Sequence, residues 1–315
     1  MNPIGGYFEF ELPEFSEFHS NAIRLNTGRN ALEYIFKARG YKRIFIPYFT
    51  CDVLLQPIRK LGLQFEFYNI NNNLEPIFDF AKIKEEDVFL YTNYFGLKSD
   101  YILEIINKPV NLILDYSQSF FTLPVKGIDT FYSPRKFFGV PDGGYLYCDK
   151  VLTVNLETDS SVDRIRHLLE RIDLGAAAGY ESFIENDKKL DNLPIRKMSV
   201  FTSRMLKAID YKTIVSKRRK NFNLLHESLG SINNFPINRN GESVPMIYPF
   251  VTEDLSLRER LIKNKIFIAT YWPNVLEWTE EGSVEMKLTK QLMPLPIDQR
   301  YSVKDLEMII KIIYA

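Results

Sequence analysis

The chain has 315 residues, of which 45% are hydrophobic and 25% are charged, a composition typical of a globular protein with one large domain or two unequal ones. Lysine plus arginine and aspartate plus glutamate both number 40, and this zero net charge argues against a nucleic-acid or membrane-surface protein. No uncharged apolar run is long enough to span a membrane, and the first twelve residues lack the basic and apolar regions of a signal peptide.

The two cysteines, Cys51 and Cys148, form neither a disulfide framework nor a zinc pattern. We therefore expect two reduced, mostly buried thiols in a cytoplasmic protein that holds no metal.

The N-terminal half predicts strands that alternate with helices. Residues 5–12 alternate between apolar and polar side chains, which indicates a half-buried strand or an extended arm. The elements that follow are a helix at 29–40, a strand at 43–47, a helix at 53–61, strands at 64–68 and 87–91, a helix at 100–106 and a strand at 110–114. Short apolar strands separated by helices are typical of an α/β fold with a mostly parallel sheet covered by helices.

The first of these helices has clear start and stop signals. Thr27 fits the N-cap position, and Gly40 fits the C-terminal stop. Arg29 lies in the first turn, where the helix dipole disfavours a positive charge. The free N–H groups at a helix N-terminus can bind phosphate, so Thr27, Gly28 and Arg29 form a candidate anion site. The alternative is an ordinary capped helix with a surface arginine.

Polar residues follow three of the predicted strands. Thr50 comes after the strand at 43–47, Asn93 after the strand at 87–91, and Asp115 after the strand at 110–114. Because ligands bind beyond the carboxyl ends of parallel strands, we expect the polar residues that matter to lie along one edge of the sheet.

The stretch from residue 111 to 147 carries the clearest chemistry. One apolar strand leads to Asp115 and Gln118, a second leads to Ser133 and Lys136, and a Gly-Gly turn follows. This arrangement suits pyridoxal phosphate (PLP), because a carboxylate can pair with the pyridinium nitrogen and a lysine can hold the aldehyde as a Schiff base. The alternatives are a helix N-cap for Asp115, a surface lysine for Lys136 and an exposed amide for Gln118.

The pattern changes after Cys148. Residues 161–190 are charged and helical, with an apolar stripe that indicates core or a dimer contact. A further helix at 214–229 contains the basic run Lys217–Lys220, which we expect to be a solvated face. Strands are predicted at 245–251 and 266–272, and an amphipathic helix at 303–314.

These motifs together resemble the DegT-type (DegT/StrS) sugar aminotransferases, in the large group of PLP enzymes built like aspartate aminotransferase. The resemblance covers roughly the first half of the chain and is fairly specific as a set. It rests on Asp115-x-x-Gln118, on Lys136, on the Gly143-Gly144 turn, and on Asn26-Thr27-Gly28-Arg29-Asn30-Ala31-Leu32, which is similar to the family's Ser-Gly-Thr-x-Ala-Leu segment.

The resemblance implies the fold type I architecture of PLP-dependent transferases. Residues 1–205 would form a large three-layer domain with an N-terminal arm, and residues 206–315 a small α+β domain. Lys136 would be the Schiff-base residue and proton carrier, Asp115 the partner of the ring nitrogen, and Gln118 the neighbour of the ring hydroxyl. A homodimer with shared active sites is implied in the same way.

Three features depart from the family pattern. The family's phosphate-binding serine lies five residues before the lysine, where this chain has Phe131, so Ser133 or Arg29 would have to compensate. Cys51 falls where the family has an aromatic residue that stacks on the ring. The family segment that reaches into the partner subunit's site is absent, which leaves the substrate-binding residues open.

The sequence thus predicts a PLP-dependent aminotransferase. By resemblance, it would move an amino group from glutamate to a nucleotide-linked keto sugar, for cell-surface polysaccharide or related biosynthesis. Two alternatives stay open: a PLP enzyme of another reaction type, such as a dehydratase, and a non-catalytic PLP-binding descendant. The family's sugar dehydratases replace the lysine by histidine, so Lys136 argues against that reaction.

Overall fold

The computed structural model describes residues 4–238 and 242–315. The strands are β1 (Ile23–Leu25), β2 (Arg43–Pro47), β3 (Gln64–Ile70), β4 (Pro76–Ile77), β5 (Asp87–Thr92), β6 (Leu112–Asp115), β7 (Asp129–Tyr132), β8 (Gly144–Tyr147), β9 (Ile247–Val251) and β10 (Leu292–Pro296). The helices are α1 (Gly28–Arg39), α2 (Leu55–Lys60), α3 (Ser99–Ile105), α4 (Arg166–Asp173), α5 (Tyr180–Lys189), α6 (Val200–Lys207), α7 (Tyr211–Leu229), α8 (Ser256–Lys263), α9 (Val275–Trp278), α10 (Val284–Gln291) and α11 (Val303–Tyr314).

The first eight strands form one sheet in the order β1-β8-β7-β6-β5-β2-β3-β4. The five strands from β7 to β3 pair in parallel, whereas β8 runs antiparallel to both of its neighbours and β4 antiparallel to β3. The predicted α/β fold with a mostly parallel sheet is confirmed. Asp115 at the end of β6 lies opposite Thr92 of β5 and Phe131 of β7.

The central strands are apolar on both faces because helices and the C-terminal part of the chain cover both sides of the sheet. Every residue of β5 and β6 is buried. Since successive side chains of a strand point to opposite faces, Phe89 joins one hydrophobic cluster with residues of the C-terminal part, and Leu90 joins another with Leu32 and Ile35 of α1.

Helix α1 begins and ends within one residue of the predicted range 29–40, and its caps are the predicted ones. The Oγ1 atom of Thr27 accepts a hydrogen bond from the backbone N–H of Asn30 at 3.0 Å. Gly40 adopts φ 75° and donates its N–H to the carbonyl of Phe36, as expected of a left-handed C-terminal stop. The helix therefore begins directly after β1, at the carboxyl edge of the sheet.

The C-terminal part contains a smaller antiparallel sheet of β9 and β10. The strand predicted at 266–272 was wrong, because these residues have no regular structure and several of them line a cavity instead. Strand β10 was missed, since two of its five residues are proline, a residue tolerated only at the edge of a sheet.

The boundary predicted at residues 205–206 falls within α6. One hydrophobic cluster contains buried residues from both sides of this position, so the division into two domains stays a prediction. Near the N-terminus, residues 7–16 lack regular structure, and Tyr7 and Phe8 are exposed, which matches an extended arm rather than a half-buried strand. Among the described residues, no helix has the length and apolar character needed to cross a membrane.

Candidate functional site

A cavity of about 450 Å³ lies at the carboxyl edge of the large sheet, between the strand ends and the C-terminal part of the chain. It brings together all eight residues that the sequence predicted for the site, while their individual roles stay predictions. These residues are Thr27, Gly28, Arg29, Cys51, Asp115, Gln118, Ser133 and Lys136. Because they span more than a hundred positions of sequence, their convergence is a property of the fold.

One end of the cavity is built from the turns after β6 and β7; we call Asp115, Ser117, Gln118 and Lys136 the lysine end. Asp115 is 5% exposed, and its Oδ1 atom accepts a hydrogen bond from the N–H of Ser117 at 2.7 Å. Burial raises the pKa of Asp115, while the charge of Lys136 and the hydrogen bonds from Ser117 act in the opposite direction. The carboxylate is thus buried without a direct ion pair, close to a lysine.

Lys136 closes a short 3₁₀ turn, Pro134–Lys136, that follows β7. Its Nζ atom donates to the Oγ atom of Ser117 at 3.2 Å. Ser117 therefore contacts both the buried carboxylate and the amine, through its backbone N–H and its hydroxyl. Ser117 was not among the predicted site residues, although its place between Asp115 and Gln118 puts it at the same strand end.

Gln118 is buried, and its Oε1 atom accepts a hydrogen bond from the N–H of Phe95 at 3.0 Å. Gln118 also lines the cavity. Thr50 lines the cavity as expected from its strand end. Asn93 instead packs behind it, where its side chain donates to Ser119 at 3.1 Å and accepts from the N–H of Lys98 at 2.9 Å.

The other end of the cavity lies at the start of α1; we call Gly28, Arg29, Ser133 and Arg135 the arginine end. Here two backbone segments touch. Gly143 donates its N–H to the carbonyl of Asn26 at 2.6 Å, and a Cβ atom on Gly144 would lie 2.5 Å from the carbonyl carbon of Thr27. Only glycine at position 144 allows this approach, which brings the start of α1 directly against β8.

The charged side chains of the arginine end are already paired. Arg29 forms an ion pair with Asp191 and donates to Oε1 of Gln56 at 3.0 Å. Arg135 pairs with Oδ1 of Asp187 at 2.9 Å. Neither Arg135 nor Asp187 was predicted as a site residue. Asp187 lies in residues 161–190, where the sequence showed only an apolar stripe.

Two positions that depart from the family pattern also border the cavity. Phe131 is 4% exposed and packs in the hydrophobic cluster that contains residues of α1. A phenylalanine side chain has no polar group with which to bind phosphate. Burial raises the pKa of the Cys51 thiol, although the charge of Lys136 opposes the shift, so the thiol is protonated at neutral pH. The two aromatic residues just before Cys51 pack away from the cavity: Tyr48 stacks on Phe67, and Phe49 is fully buried.

The wall formed by the C-terminal part contains a buried arginine. Arg218 belongs to the basic run predicted to be a solvated face, and for this residue the prediction was wrong: it is 1% exposed. It donates to the carbonyls of Pro245, Met246 and Phe137 at 3.3, 3.1 and 3.4 Å. A run of four basic residues shows no periodicity from which its buried member could be recognised.

The Phe137 carbonyl also accepts a hydrogen bond from Nε2 of Gln299 at 2.9 Å, and the guanidinium of Arg218 lies 4.7 Å from the centre of the Phe137 ring. Burial lowers the pKa of Arg218 to about 10, so it remains charged at neutral pH. Two side chains from the C-terminal part thus hold the residue that directly follows Lys136.

No family model and no curated protein sequence matches the chain. Solved structures do match it. One is a DegT/DnrJ/EryC1/StrS aminotransferase from Brucella abortus, with a TM-score of 0.67 and 17% identity, covering 93% of this chain and 85% of that one. Another is GDP-4-keto-6-deoxymannose-3-dehydratase with bound GDP-perosamine, with a TM-score of 0.61 and 16% identity, covering 92% and 87%.

A third match is NtdA from Bacillus subtilis with bound cofactor PMP, with a TM-score of 0.63 and 13% identity, covering 92% of this chain and 73% of that one. At such low identity, the likeness establishes a shared fold. The chain therefore has the fold of these PLP-type enzymes, and the fold class predicted from the sequence is confirmed.

Proposed function

We propose that this chain is a PLP-dependent aminotransferase that acts on a keto sugar linked to a nucleotide. The observation that carries the proposal is the lysine end of the cavity. There, a lysine amine and a buried carboxylate from two adjacent strand ends share Ser117 as a neighbour. The fold alone would not support an activity, because one fold serves many functions.

The residues around the cavity fit the groups that PLP carries. Lys136 offers an amine for the aldehyde, Asp115 a carboxylate for the pyridine nitrogen, and Gln118 an amide for the ring hydroxyl. The N-terminus of α1 offers free N–H groups, and Arg29 and Arg135 offer cations, for the phosphate. The volume of about 450 Å³ lies within the range of small-molecule sites.

When bound, PLP supplies an electron sink for the chemistry at the substrate's amino-bearing carbon. Lys136 would hold the aldehyde, and once released its Nζ would carry a proton at the reacting carbon. Asp115 in its ionised form would keep the ring nitrogen protonated through a charge-assisted hydrogen bond. Before the cofactor binds, the hydroxyl of Ser117 would hold the amine of Lys136, which donates to it at 3.2 Å.

The sugar substrate is supported by the names of similar structures, which include a sugar dehydratase with bound GDP-perosamine. Arg300 also lines the cavity, where it pairs with Asp298 at 2.7 Å. It is the cation that we expect to meet an acidic donor such as glutamate. The role in polysaccharide biosynthesis, the homodimer, the cytoplasmic location and the two-domain division belong to the same proposal.

The dehydratase among the similar structures raises an alternative reaction. The described residues that line the cavity include Lys136 and no histidine. Because the family's sugar dehydratases carry histidine at the lysine position, this lining favours amino transfer.

The proposal is tested by the visible absorption spectrum of purified protein with PLP, followed by borohydride reduction and peptide mapping. We expect a band of covalently bound cofactor in the wild type and in Lys150→Ala, whose lysine is exposed outside the cavity, but not in Lys136→Ala. The reduced adduct should map to Lys136, and addition of glutamate should bleach the band and release 2-oxoglutarate. An absent band, or an adduct on another lysine, would refute the proposal.

A further inference from the structure

One carboxylate oxygen lies between the two guanidinium groups at the arginine end of the cavity. The Oδ1 atom of Asp187 is 2.9 Å from Nη1 of Arg135 and 4.0 Å from Nη2 of Arg29. All three residues line the same cavity as Lys136. Both guanidinium groups thus face one carboxylate oxygen, and guanidinium groups recognise carboxylate and phosphate oxygens well.

The surroundings of this position favour an anion in two further ways. The first turn of α1 contains no acidic residue, so its free N–H groups and positive dipole end are not neutralised from within the helix. Ser133 borders the same space, since a Cβ atom on Gly28 would lie 3.7 Å from the Cβ of Ser133. Phe131, by contrast, packs in the hydrophobic cluster that contains residues of α1.

The ion pairs that now occupy the two arginines are easily exchanged. The side chains of Asp187 and Asp191 are 48% and 44% exposed, and ion pairs with such exposed partners add little to stability. A phosphate group carries nearly two negative charges and three acceptor oxygens. It can therefore replace Asp187 as the partner of both guanidinium groups.

We infer that Arg29 and Arg135 form an anion clamp for phosphate, and that Asp187 on α5 is its internal competitor. Binding of the anion would displace the Asp187 side chain from the two guanidinium groups, and loss of the anion would return it to the clamp. That the anion is the phosphate of PLP rests on the proposed function. The clamp itself is a property of this chain's arginines and can be tested without the cofactor.

The experiment is calorimetric titration of inorganic phosphate into cofactor-free wild-type protein, Asp187→Asn and Glu185→Gln. Glu185 lies on the same helix and is exposed, so its substitution changes net charge equally without touching the clamp. We expect Asp187→Asn to bind phosphate about threefold to tenfold more tightly, the effect of removing one half-exposed competitor. Unchanged or weaker binding by Asp187→Asn, or an equal gain in Glu185→Gln, would overturn the inference.

A double-mutant cycle with Arg135→Gln separates the clamp from a general charge effect. We expect Arg135→Gln to weaken phosphate binding and to abolish the gain that Asp187→Asn gives in the wild-type background. If Asp187→Asn still strengthens phosphate binding in the Arg135→Gln background, Asp187 does not compete for Arg135, and the assignment of the clamp is overturned.

The same variants distinguish this inference from the proposed function. With PLP and pyridoxal as paired ligands, Asp187→Asn should strengthen binding of PLP only, because pyridoxal has no phosphate. Phosphate binding that follows the cycle in a protein that never binds PLP covalently would refute the proposed function and support the clamp. Covalent PLP binding at Lys136, combined with phosphate binding that Asp187→Asn leaves unchanged, would support the proposed function and refute the clamp.

Discussion

The lysine end and the arginine end of the cavity are held in place in different ways. Asp115 and Lys136 follow adjacent paired strands, and backbone and serine contacts hold them. Arg29 and Arg135 are held instead by carboxylates that are about half exposed. The groups to which we assign the chemistry are thus held by backbone and serine contacts, whereas the groups to which we assign anion binding are held by carboxylates that an anion can replace.

The largest expected effect comes from the lysine end. Asp115→Asn should lower the transamination rate by about 10²–10⁴-fold, because the ring nitrogen loses the carboxylate that keeps it protonated. The matched control is Asp163→Asn, whose carboxyl is exposed outside the cavity. Equal rates for wild type and Asp115→Asn under saturating PLP would show that Asp115 has no part in the reaction.

The same substitution should have the opposite effect on the stability of cofactor-free protein. The folded-state pKa of Asp115 is raised above its usual value of 3.8 by burial. Its contribution to stability is therefore fully present below pH 3.8 and is lost as the pH rises through the folded pKa. Asp115→Asn should melt at a higher temperature than wild type at pH 7, with the difference shrinking towards pH 4. A difference that does not vary with pH would contradict this.

The next largest effect concerns Arg218, which donates to the carbonyl of Phe137, the residue after Lys136. Arg218→Ala should lower the free energy of unfolding by about 2–4 kcal/mol, because it leaves a void and removes a donor from three buried carbonyls. Arg219→Ala is the neighbouring control, since its side chain is 32% exposed, and it should change stability by less than about 1 kcal/mol. Urea unfolding measures both, and equal losses would refute the special role of Arg218.

The smallest effect is expected at the arginine end. The hydroxyl of Ser133 has no hydrogen-bond partner within the described part of the chain, so Ser133→Ala should leave the unfolding free energy unchanged within about 0.5 kcal/mol. Affinity for PLP should fall by about threefold to tenfold, the value of one hydrogen bond. A loss above a hundredfold would make Ser133 the main phosphate ligand in place of the arginines.

Local patterns in the sequence predicted the parts of the molecule that local physics determines. Thr27 and Gly40 mark the two ends of α1, and both could be predicted because capping depends on neighbouring residues. The strand ends placed Asp115 at one edge of the sheet because parallel topology leaves few alternatives. The resemblance then selected Lys136 from many lysines, and the fold brought it into the same cavity.

The missed features depend on tertiary packing. Arg218 is buried because α7 turns that side toward Phe137, and nothing in a run of basic residues indicates this orientation. Asp187 lines the cavity because α5 packs beside it. Its partner Arg135 lies 52 residues away along the chain, so no local pattern links the two. The segment 266–272 has strand-forming residues but lines the cavity, whereas β10 pairs with β9 despite its prolines.

The contact between Gly144 and Thr27 has a consequence for ligand selection. Backbone atoms meet there without intervening side chains, and a Cβ atom on Gly28 would lie 3.6 Å from the carbonyl oxygen of Tyr132. Main-chain geometry therefore sets how far the start of α1 lies from β8 and from the end of β7, which leads into the turn that carries Lys136. An anion held by the backbone N–H groups of α1 would then lie at a fixed distance from that turn, while the side chains of Arg29 and Arg135 would set how tightly it is held. The cavity should therefore discriminate among aldehydes by the length of the arm that carries the phosphate, accepting one arm length and rejecting homologues one methylene longer or shorter.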